Sequence, residues 1–327
     1  MPTKHRPRHG TLQFWPRKRA AKIMPSANWK AIENAVAQRK EGLLGFVGYK
    51  VGMTTALVQD LTPNSLTINE NVAVPTTIIE CPPMKVMGVR LYRGEKEFRG
   101  EGRQVVTEFL SDKLDRELKR RIKVPKAHGK IESAKLEGVT DVRVLCHTQP
   151  KQAKLKKTPE ICEIGIKAAS VGRKFELAKE MLGKEISVSN VFASLDVIDV
   201  KGVTKGKGLV GPIKRFGLGL KGHKSEKGVR RPGSLGPWIP KKVTFRAPIS
   251  GQMGFQTRLQ YNNQIIHAGS KEEAEKLRFF DDYGIVRNQY LMIKGSLQGT
   301  EKRPLLLCAP IRAPKHAGNY KFVRLVR

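Results

Sequence analysis

Residues 43–59 have the sequence LLGFVGYKVGMTTALVQ, and this stretch decides the fold. Apolar and β-branched residues dominate it, and glycines interrupt it at short intervals. This pattern predicts two β-strands, over residues 43–51 and 54–59. Further short strands are predicted over residues 76–80 and 85–92, so the chain begins as a mainly β protein.

Later parts of the chain have the same character. Strands are predicted within residues 185–203 and over residues 290–295 and 305–309. Because these segments lie far apart in sequence, we expect them to assemble into a closed or nearly closed β-barrel from discontinuous pieces.

A block of different composition, residues 94–183, separates the two β-rich regions. Strands are predicted over residues 142–147 and 161–167, and a helix over residues 170–181. A further helix is predicted after Ser111, which is a suitable N-cap. The block is therefore expected to be an α+β insertion in the barrel.

Two more helices are predicted from capping residues. Ser26 is expected to cap a helix that extends to about residue 38, with Trp29 and Ile32 on its apolar face. Ser270 and Glu273 form a capping box at the start of a later helix.

The charge is large and unevenly distributed. The 327 residues include 62 Lys and Arg against 29 Asp and Glu, a formal net charge of +33. Residues 1–22 carry seven bases and no acid, residues 201–260 carry fourteen bases with Glu226 as the single acid, and residues 302–327 carry seven bases and no acid. The remaining body is nearly neutral. Three basic arms on such a body indicate a polyanionic partner.

The segment 201–260 also contains twelve glycines and five prolines, so it can bury little apolar surface and is expected to be ordered by a partner. Gly206 to Gly211 match the pattern G-x-G-x-x-G. A dinucleotide site needs a helix to open at the third glycine, but Pro212 follows. We therefore interpret the glycines as allowing close approach of the backbone to phosphates.

Other chemistry is weakly supported. The four cysteines form no Cys-x-x-Cys pair, which favours a reducing compartment. Cys146, His147 and Cys162 offer three metal ligands, but adjacent residues of a strand point to opposite faces. No Gly-x-Ser-x-Gly motif and no long apolar run is present. We expect no catalytic residue, no metal, no cofactor, no small-molecule substrate and no membrane partner.

Trp238 lies inside the most basic part of the chain, within the sequence PGSLGPWIP. Two interpretations are open. The side chain either packs back onto the barrel or stacks on an unpaired RNA base at the end of an arm.

A set of residues at fixed spacing carries a family resemblance: Phe192, Asp199, Gly202, Thr204, Gly206, Lys207, Gly208, Gly211 and Arg215. With the basic start of the chain and the Gly-Pro-Trp238 sequence, they make the chain resemble the universal large-subunit ribosomal protein L3 family in its archaeal form. The resemblance covers essentially the whole chain.

The resemblance implies a cytoplasmic constituent of the large ribosomal subunit, present in one copy per ribosome. Its partners would be large-subunit rRNA and neighbouring large-subunit proteins. It would support assembly, and an internal loop tipped by Trp238 would approach the peptidyl-transferase centre and the entry corridor for aminoacyl-tRNA. Peptide transfer would belong to the RNA.

The expected rRNA-binding residues are Lys4, Arg6, Arg8, Arg17, Lys18, Arg19, Lys205, Lys207, Lys214, Arg215, Lys221, Lys224, Lys227, Arg230, Arg231, Trp238, Lys241, Lys242, Arg246 and Arg258. The expected parts of the chain are an N-terminal arm with a short helix (1–41), the barrel (42–93 with 184–301), the insertion (94–183), a long internal loop (201–260) and a basic C-terminal segment (302–327).

Two rival functions remain. An RNA-binding protein outside the ribosome would be expected to carry a self-contained base-reading module, and none is evident. An RNA-modifying enzyme would need a cofactor pocket or an acid–base pair, and the one glycine-rich candidate lacks the required context.

Overall fold

The computed structural model describes residues 10–36, 39–94, 104–125, 129, 131–277 and 279–326. The described α-helices are α1 (Trp29–Ala35), α2 (Val171–Met181), α3 (Pro212–Phe216) and α4 (Lys271–Glu275). Short 3-10 helices cover Leu12–Phe14, Arg116–Arg120, Ile131–Ser133 and Val188–Asn190. The described strands are β1 (Gly42–Leu43), β2 (Gly45–Asp60), β3 (Asn71–Glu80), β4 (Met84–Arg93), β5 (Gln104–Leu110), β6 (Asp141–Thr148), β7 (Ile161–Lys167), β8 (Glu185–Ile186), β9 (Val197–Val203), β10 (Gly206–Val210), β11 (Gly251–Gly254), β12 (Thr257–Gly269), β13 (Tyr290–Lys294), β14 (Pro304–Cys308) and β15 (Tyr320–Val326).

One sheet closes on itself as a ring. Its strands follow the order β14, β9, β12, β13, β3 and β2, and β14 pairs again with β2. The long β2 makes this possible, because residues 45–49 pair with β14 while residues 49–59 pair with β3. β15 continues along the second half of β2. The prediction of a mainly β core assembled from discontinuous pieces is confirmed.

A second sheet has the order β1, β7, β6, β4 and β5, with β8 also paired to β4. Helix α2 packs against β6. The apolar side chains of this sheet and those of the ring share one core, in which Phe46, Leu91, Ile164 and Leu307 are almost fully buried. Apolar burial of this extent is the main stabilising contribution to a fold of this size.

A second apolar cluster, which includes Tyr49, Ile78 and Met292, lies beside a buried carboxylate. Glu80 is fully buried, and its Oε1 accepts hydrogen bonds from the backbone N–H and the side-chain amide of Asn288, at 2.9 and 2.7 Å. Its Oε2 accepts a hydrogen bond from the Tyr283 hydroxyl at 2.5 Å, and burial together with this carboxylate raises the pKa of Tyr283. A buried charge satisfied in this way fixes the connection between β3 and β13.

The two strands predicted over residues 43–51 and 54–59 are one strand. An irregularity between Lys50 and Gly52 shifts the register with β3, and pairing resumes beyond it. Such a bulge bends a strand without ending it, so the glycines do not terminate β2.

The prediction of a helix that starts after Ser111 is wrong. Ser111 follows directly on β5, and its Oγ accepts a hydrogen bond from the N–H of Lys113 at 3.4 Å, in a turn rather than at a helix start. The local helical segment is the 3-10 helix Arg116–Arg120, which begins after Asp115. Ser and Asp favour turns as strongly as helix starts.

The other caps are closer to the prediction. Asn28, rather than Ser26, caps α1 by accepting a hydrogen bond from the N–H of Ala31, and α1 ends at Ala35, earlier than predicted. Residues 37 and 38 lie outside the described residues. Ser170 and Ser270 cap α2 and α4 through their hydroxyls, as the sequence predicts.

The described chain forms two compact units. One contains residues 10–22 and 203–258, and the other contains residues 23–202 and 259–326 without the gaps given above. The division into sequence domains remains a prediction. By hydrogen bonding, β4 belongs to the second sheet and β14 to the ring. Among the described residues, no helix has both the length and the apolar character that crossing a membrane requires.

Candidate nucleic-acid interface

The unit of residues 10–22 and 203–258, which we call the basic unit, is built on a short hairpin. Strand β10 pairs antiparallel with β11. The N–H of Thr204 donates to the Gln256 carbonyl at 3.0 Å, and the N–H of Gln256 donates to the Thr204 hydroxyl at 3.2 Å. Gly254 has a φ of +71°, and a Cβ there would lie 2.0 Å from the Lys205 carbonyl oxygen. Only glycine fits this crossing, which holds the two ends of the internal segment together.

The sequence predicts that Pro212 prevents a helix from starting after the glycine-rich motif, and the structure corrects this point. Helix α3 does begin at Pro212, directly after Gly211, because proline suits the first position of a helix. It is five residues long and ends at Gly217 in the left-handed conformation, with φ of 64°. The glycines lie on an antiparallel hairpin and not in a β-α-β unit, so the structural context of a dinucleotide site is still missing.

Aromatic rings and arginines form a compact cluster in the basic unit. The Trp15 ring stacks on Phe216 with centroids 6.0 Å apart and meets the edge of Phe245 at 5.8 Å. The guanidinium of Arg17 lies 4.5 Å from the centroid of Phe216, and that of Arg215 lies 5.2 Å from it. Cation–π contacts of this kind fix arginine side chains without using a carboxylate.

These guanidinium groups also have backbone partners. Arg17 Nη1 donates to the carbonyl of Arg215 at 3.2 Å, and Arg215 Nη1 donates to the carbonyl of Ile249 at 2.8 Å. Arg258 Nη2 donates to Gln256 Oε1 at 2.6 Å. Three of the expected rRNA-binding arginines therefore also hold the basic unit together.

The electrostatics of this cluster favour an added anion. Desolvation lowers the pKa of Arg17, Arg215 and Arg258, and the positive charges of Arg215 and Arg258 lower the pKa of Arg17 further. Like charges held this close repel one another, and a phosphate placed beside them relieves the repulsion.

Residues 218–250 contain no helix or strand. Their hydrogen bonds include local turns, such as Lys221 N–H to the Val229 carbonyl at 3.2 Å and Lys241 N–H to the Trp238 carbonyl at 2.7 Å. The expected cations of this segment are all exposed: Lys221, Lys224, Lys227, Arg230, Arg231, Lys241, Lys242 and Arg246. An extended segment with so many solvated cations suits contact with a phosphate backbone.

Trp238 has 82% of its surface exposed, and the neighbouring Ile239 has 78%. The tryptophan is therefore not part of an apolar core. An exposed indole beside cations is an arrangement that stacks on nucleic-acid bases.

The remaining expected residues divide into two groups. Lys18, Arg19, Lys205, Lys207 and Lys214 are exposed on the basic unit. Lys4, Arg6 and Arg8 lie outside the described residues.

Sequence reasoning missed a further cationic surface, which we call the cationic groove. The 3-10 helix Arg116–Arg120 and the loop of residues 150–157 border a cavity of about 810 Å³. Its exposed cations are Arg116, Lys119, Arg120, Lys151, Lys154 and Lys157. Glu117 Oε1 pairs with Lys151 Nζ at 2.7 Å, and this partner lowers the pKa of Glu117. The sequence signal was available as two dense basic clusters, residues 116–123 and 151–157, but averaging over the near-neutral body concealed it.

The three candidate metal ligands Cys146, His147 and Cys162 are buried in the second sheet. Cys146 and Cys162 lie opposite each other on β6 and β7, and burial raises the pKa of Cys162 to about 12. Burial lowers the pKa of His147. Within the described ranges, no group of three or more His, Cys, Asp and Glu is placed to hold a metal ion.

Comparison with known proteins gives one consistent result. The family model described as "Ribosomal protein L3" matches residues 1–320. A protein of Methanobrevibacter smithii named "Large ribosomal subunit protein uL3" is 42% identical over 320 residues, which cover 94% of this chain and 92% of the relative. Proteins of the same name from Methanococcus maripaludis and Methanocaldococcus jannaschii are each 40% identical and cover 95% and 94% of this chain and 92% of each relative.

Proposed function

The chain belongs to the ribosomal protein L3 family, and from this premise we propose that it supports the large ribosomal subunit by binding large-subunit rRNA through its basic unit. As a member of this family it is a protein of the large subunit, associated with the ribosome.

The observation that carries the proposal is the concentration of cations in the basic unit. Residues 201–260 contain fourteen Lys and Arg with Glu226 as their single acid. Partial desolvation lowers the pKa of Arg17, Arg215 and Arg258, and the charges of the other two arginines lower the pKa of Arg17 further. Release of counterions when phosphates replace them is a strong driving force for RNA binding.

Within this unit, the tip of the internal segment is proposed to shape the surroundings of the peptidyl-transferase centre. Trp238 and Ile239 are strongly exposed apolar residues at the tip, and Lys241 and Lys242 follow shortly after them. Stacking of an indole on a base and neutralisation of the neighbouring phosphates together favour a thin segment entering between RNA helices.

The cationic groove is proposed as a second phosphate-binding surface, on the other unit of the molecule. Two contacts on separate units would fix the protein on its RNA more firmly than either alone. We assign no catalytic residue, and the role proposed is support of assembly and conformation.

The test is chemical footprinting of rRNA in purified large subunits. One preparation contains the full chain, and the other contains a chain in which residues 221–242 are replaced by a short Gly-Ser linker. We expect the replacement to abolish protection near the peptidyl-transferase centre and to leave protection elsewhere. Unchanged protection at that centre would refute the role of the tip.

A matched control addresses binding outside the ribosome. The purified chain is titrated with large-subunit rRNA fragments and with an unrelated structured RNA of equal length. We expect tighter binding to the rRNA fragments at the same salt concentration. Equal affinity for both RNAs would favour a general RNA-binding protein, and turnover of an RNA-modifying cofactor would favour an enzyme.

A further inference from the structure

The turn between β2 and β3, residues 61–70, carries an exposed apolar tip. Leu66 is fully exposed, and Ile68 has 48% of its surface exposed. Because the Leu66 side chain is not covered by its own chain, it contributes no hydrophobic burial to the stability of the fold. Exposed apolar groups that are held in a defined position commonly mark contacts with other proteins.

The loop is held rigidly beneath that tip. The carboxylate of Asp60 accepts hydrogen bonds from the N–H of Thr62 at 2.9 Å, from Ser65 Oγ at 2.8 Å and from Thr67 Oγ1 at 2.7 Å. These bonds hold the pKa of Asp60 well below its usual range. The Asp60 carbonyl also accepts from the N–H of Asn69 at 2.7 Å.

The neighbouring chain clamps the same loop from outside. The N–H of Leu61 donates to the carbonyl of Asn319 at 2.7 Å, and the N–H of Asn319 donates to Thr62 Oγ1 at 2.9 Å. A loop fixed on both sides loses little further conformational entropy when it binds. Leu66 is therefore presented in a pre-organised position.

The local charge indicates what kind of partner fits. Lys and Arg make up 62 of the 327 residues, yet residues 51–84 contain none and carry Asp60, Glu70 and Glu80. Lys321 lies opposite Gln59 at the base of the hairpin, and Glu70 is exposed beside the tip. A loop that itself contains no cation and carries an exposed carboxylate disfavours phosphates and favours a cationic protein.

We propose that residues 61–70 form a protein-docking knob, in which Leu66 and Ile68 enter an apolar pocket on a neighbouring basic protein of the large subunit while Glu70 faces that protein's cations. This inference rests on the proposed function, because it requires the chain to be part of the subunit. It assigns to this hairpin a protein contact, distinct from the rRNA contacts of the basic unit.

The test uses photo-crosslinking in assembled large subunits. A benzophenone amino acid replaces Pro63, which is exposed beside the tip, so that Leu66 and Ile68 stay intact. Purified subunits containing this chain are irradiated, treated with ribonuclease and analysed by mass spectrometry. We expect an adduct with one large-subunit protein of basic isoelectric point.

The contribution of the leucine is measured by adding Leu66→Ala to the same chain. We expect the yield of the adduct to fall about tenfold, the effect of losing one buried leucine side chain from an interface. Val105→Ala is the control, since Val105 is an apolar residue on β5 with half of its surface exposed, and it should leave the yield unchanged.

An adduct with rRNA, or the absence of any adduct, would refute the proposal that residues 61–70 dock a protein. A yield that does not change with Leu66→Ala would refute it as well. In each of these cases the rRNA footprint of the basic unit would be retained. A chain that fails to enter subunits and protects no rRNA would instead refute the proposed function, and the knob with it.

Discussion

The three tryptophans of the chain occupy three different environments. Trp29 is 3% exposed in the main core, Trp15 shares ring contacts with Phe216 and Phe245, and Trp238 is 82% exposed. Trp29 therefore packs in the core, and Trp15 holds the N-terminal segment against the aromatic rings of the basic unit. Trp238, in our proposal, contacts RNA.

We expect Trp238→Ala to leave stability unchanged and to weaken the RNA contact. An exposed side chain away from packing contributes within about 0.5 kcal/mol to stability. Loss of one stacked base costs about 1–3 kcal/mol, so rRNA affinity should fall roughly tenfold. Thermal melting of the chain and titration with an rRNA fragment measure the two effects.

Trp29→Ala is the counterpart, and it should lower the free energy of unfolding by about 3–5 kcal/mol because it empties a core site. If Trp238→Ala ribosomes translate normally and the variant binds rRNA as the parent does, stacking by Trp238 is refuted.

His147 predicts a pH dependence. Its pKa is lowered from 6.5 by burial, although Asp115 Oδ2 lies 3.5 Å from Nε2. The folded chain therefore binds this proton less readily than the unfolded chain. Its contribution to stability is fully present above about pH 6.5 and is lost as the pH falls through the lower pKa of the folded state.

We expect the urea midpoint of the parent chain to fall between pH 7.5 and pH 5, and to fall less in His147→Gln. Urea unfolding of the parent chain and of His147→Gln is followed by fluorescence at each pH. Parallel losses in both would show that His147 does not contribute to the acid sensitivity.

At the level of single elements, β2 depends on a close approach at Gly48. A Cβ there would lie 2.3 Å from Ile79 Cγ2 and 3.2 Å from the Glu80 carbonyl oxygen. Gly48→Ala should therefore destabilise the chain by about 1–3 kcal/mol through overpacking. Denaturant unfolding measures the loss, and Gly219→Ala, where nothing lies within 4 Å, should leave the midpoint unchanged.

The cationic groove makes a quantitative prediction about salt. Replacing Arg116, Lys119, Lys154 and Lys157 with Gln removes four exposed cations. If each contacts a phosphate, the slope of log affinity against log salt concentration should decrease by about 3. The measurement is a titration of an rRNA fragment at several salt concentrations.

The matched control replaces Lys40, Lys135, Lys179 and Lys271, which are exposed elsewhere on the same unit. This variant should show a smaller change in slope. An equal change in both variants would mean that the groove only adds general positive charge.

Sequence patterns predicted some elements well and others poorly, for physical reasons. Both boundaries of β7 were predicted correctly and those of β13 to within one residue, because apolar runs end at turn residues. The continuity of β2 was missed because the glycine-containing stretch at its bulge, between Lys50 and Gly52, has the local sequence pattern of a strand end. The cationic groove was missed because its two basic clusters, although visible in the sequence, are brought together only by tertiary folding.

At the level of the whole molecule, the internal segment should contribute little to the stability of the fold. Residues 221–242 are mostly exposed and contain no regular element. We expect their replacement by a short Gly-Ser linker to leave the thermal midpoint of the chain nearly unchanged, since loop length has only a weak effect on stability. Calorimetry of the full chain and the shortened chain measures this, and a large loss would show that the segment supports the core.

The charge distribution along the chain was predictable because charged residues can be counted in the sequence without knowledge of the fold. The closed barrel was predictable in kind, since β segments far apart in sequence had to meet, whereas the ring order was not. The position of Arg17 against Phe216 was also beyond sequence reasoning, because it joins residues almost two hundred positions apart.

The pairing of β2 with β14 has a consequence for the order of events during synthesis. Gly45 lies opposite Cys308 in a chain of 327 residues, so the ring cannot close until nearly all of the protein has been made. Contacts of such long sequence separation form slowly. The basic segment of residues 203–258 is synthesised before that closure, so under our proposal it would be available to RNA while the barrel is still open.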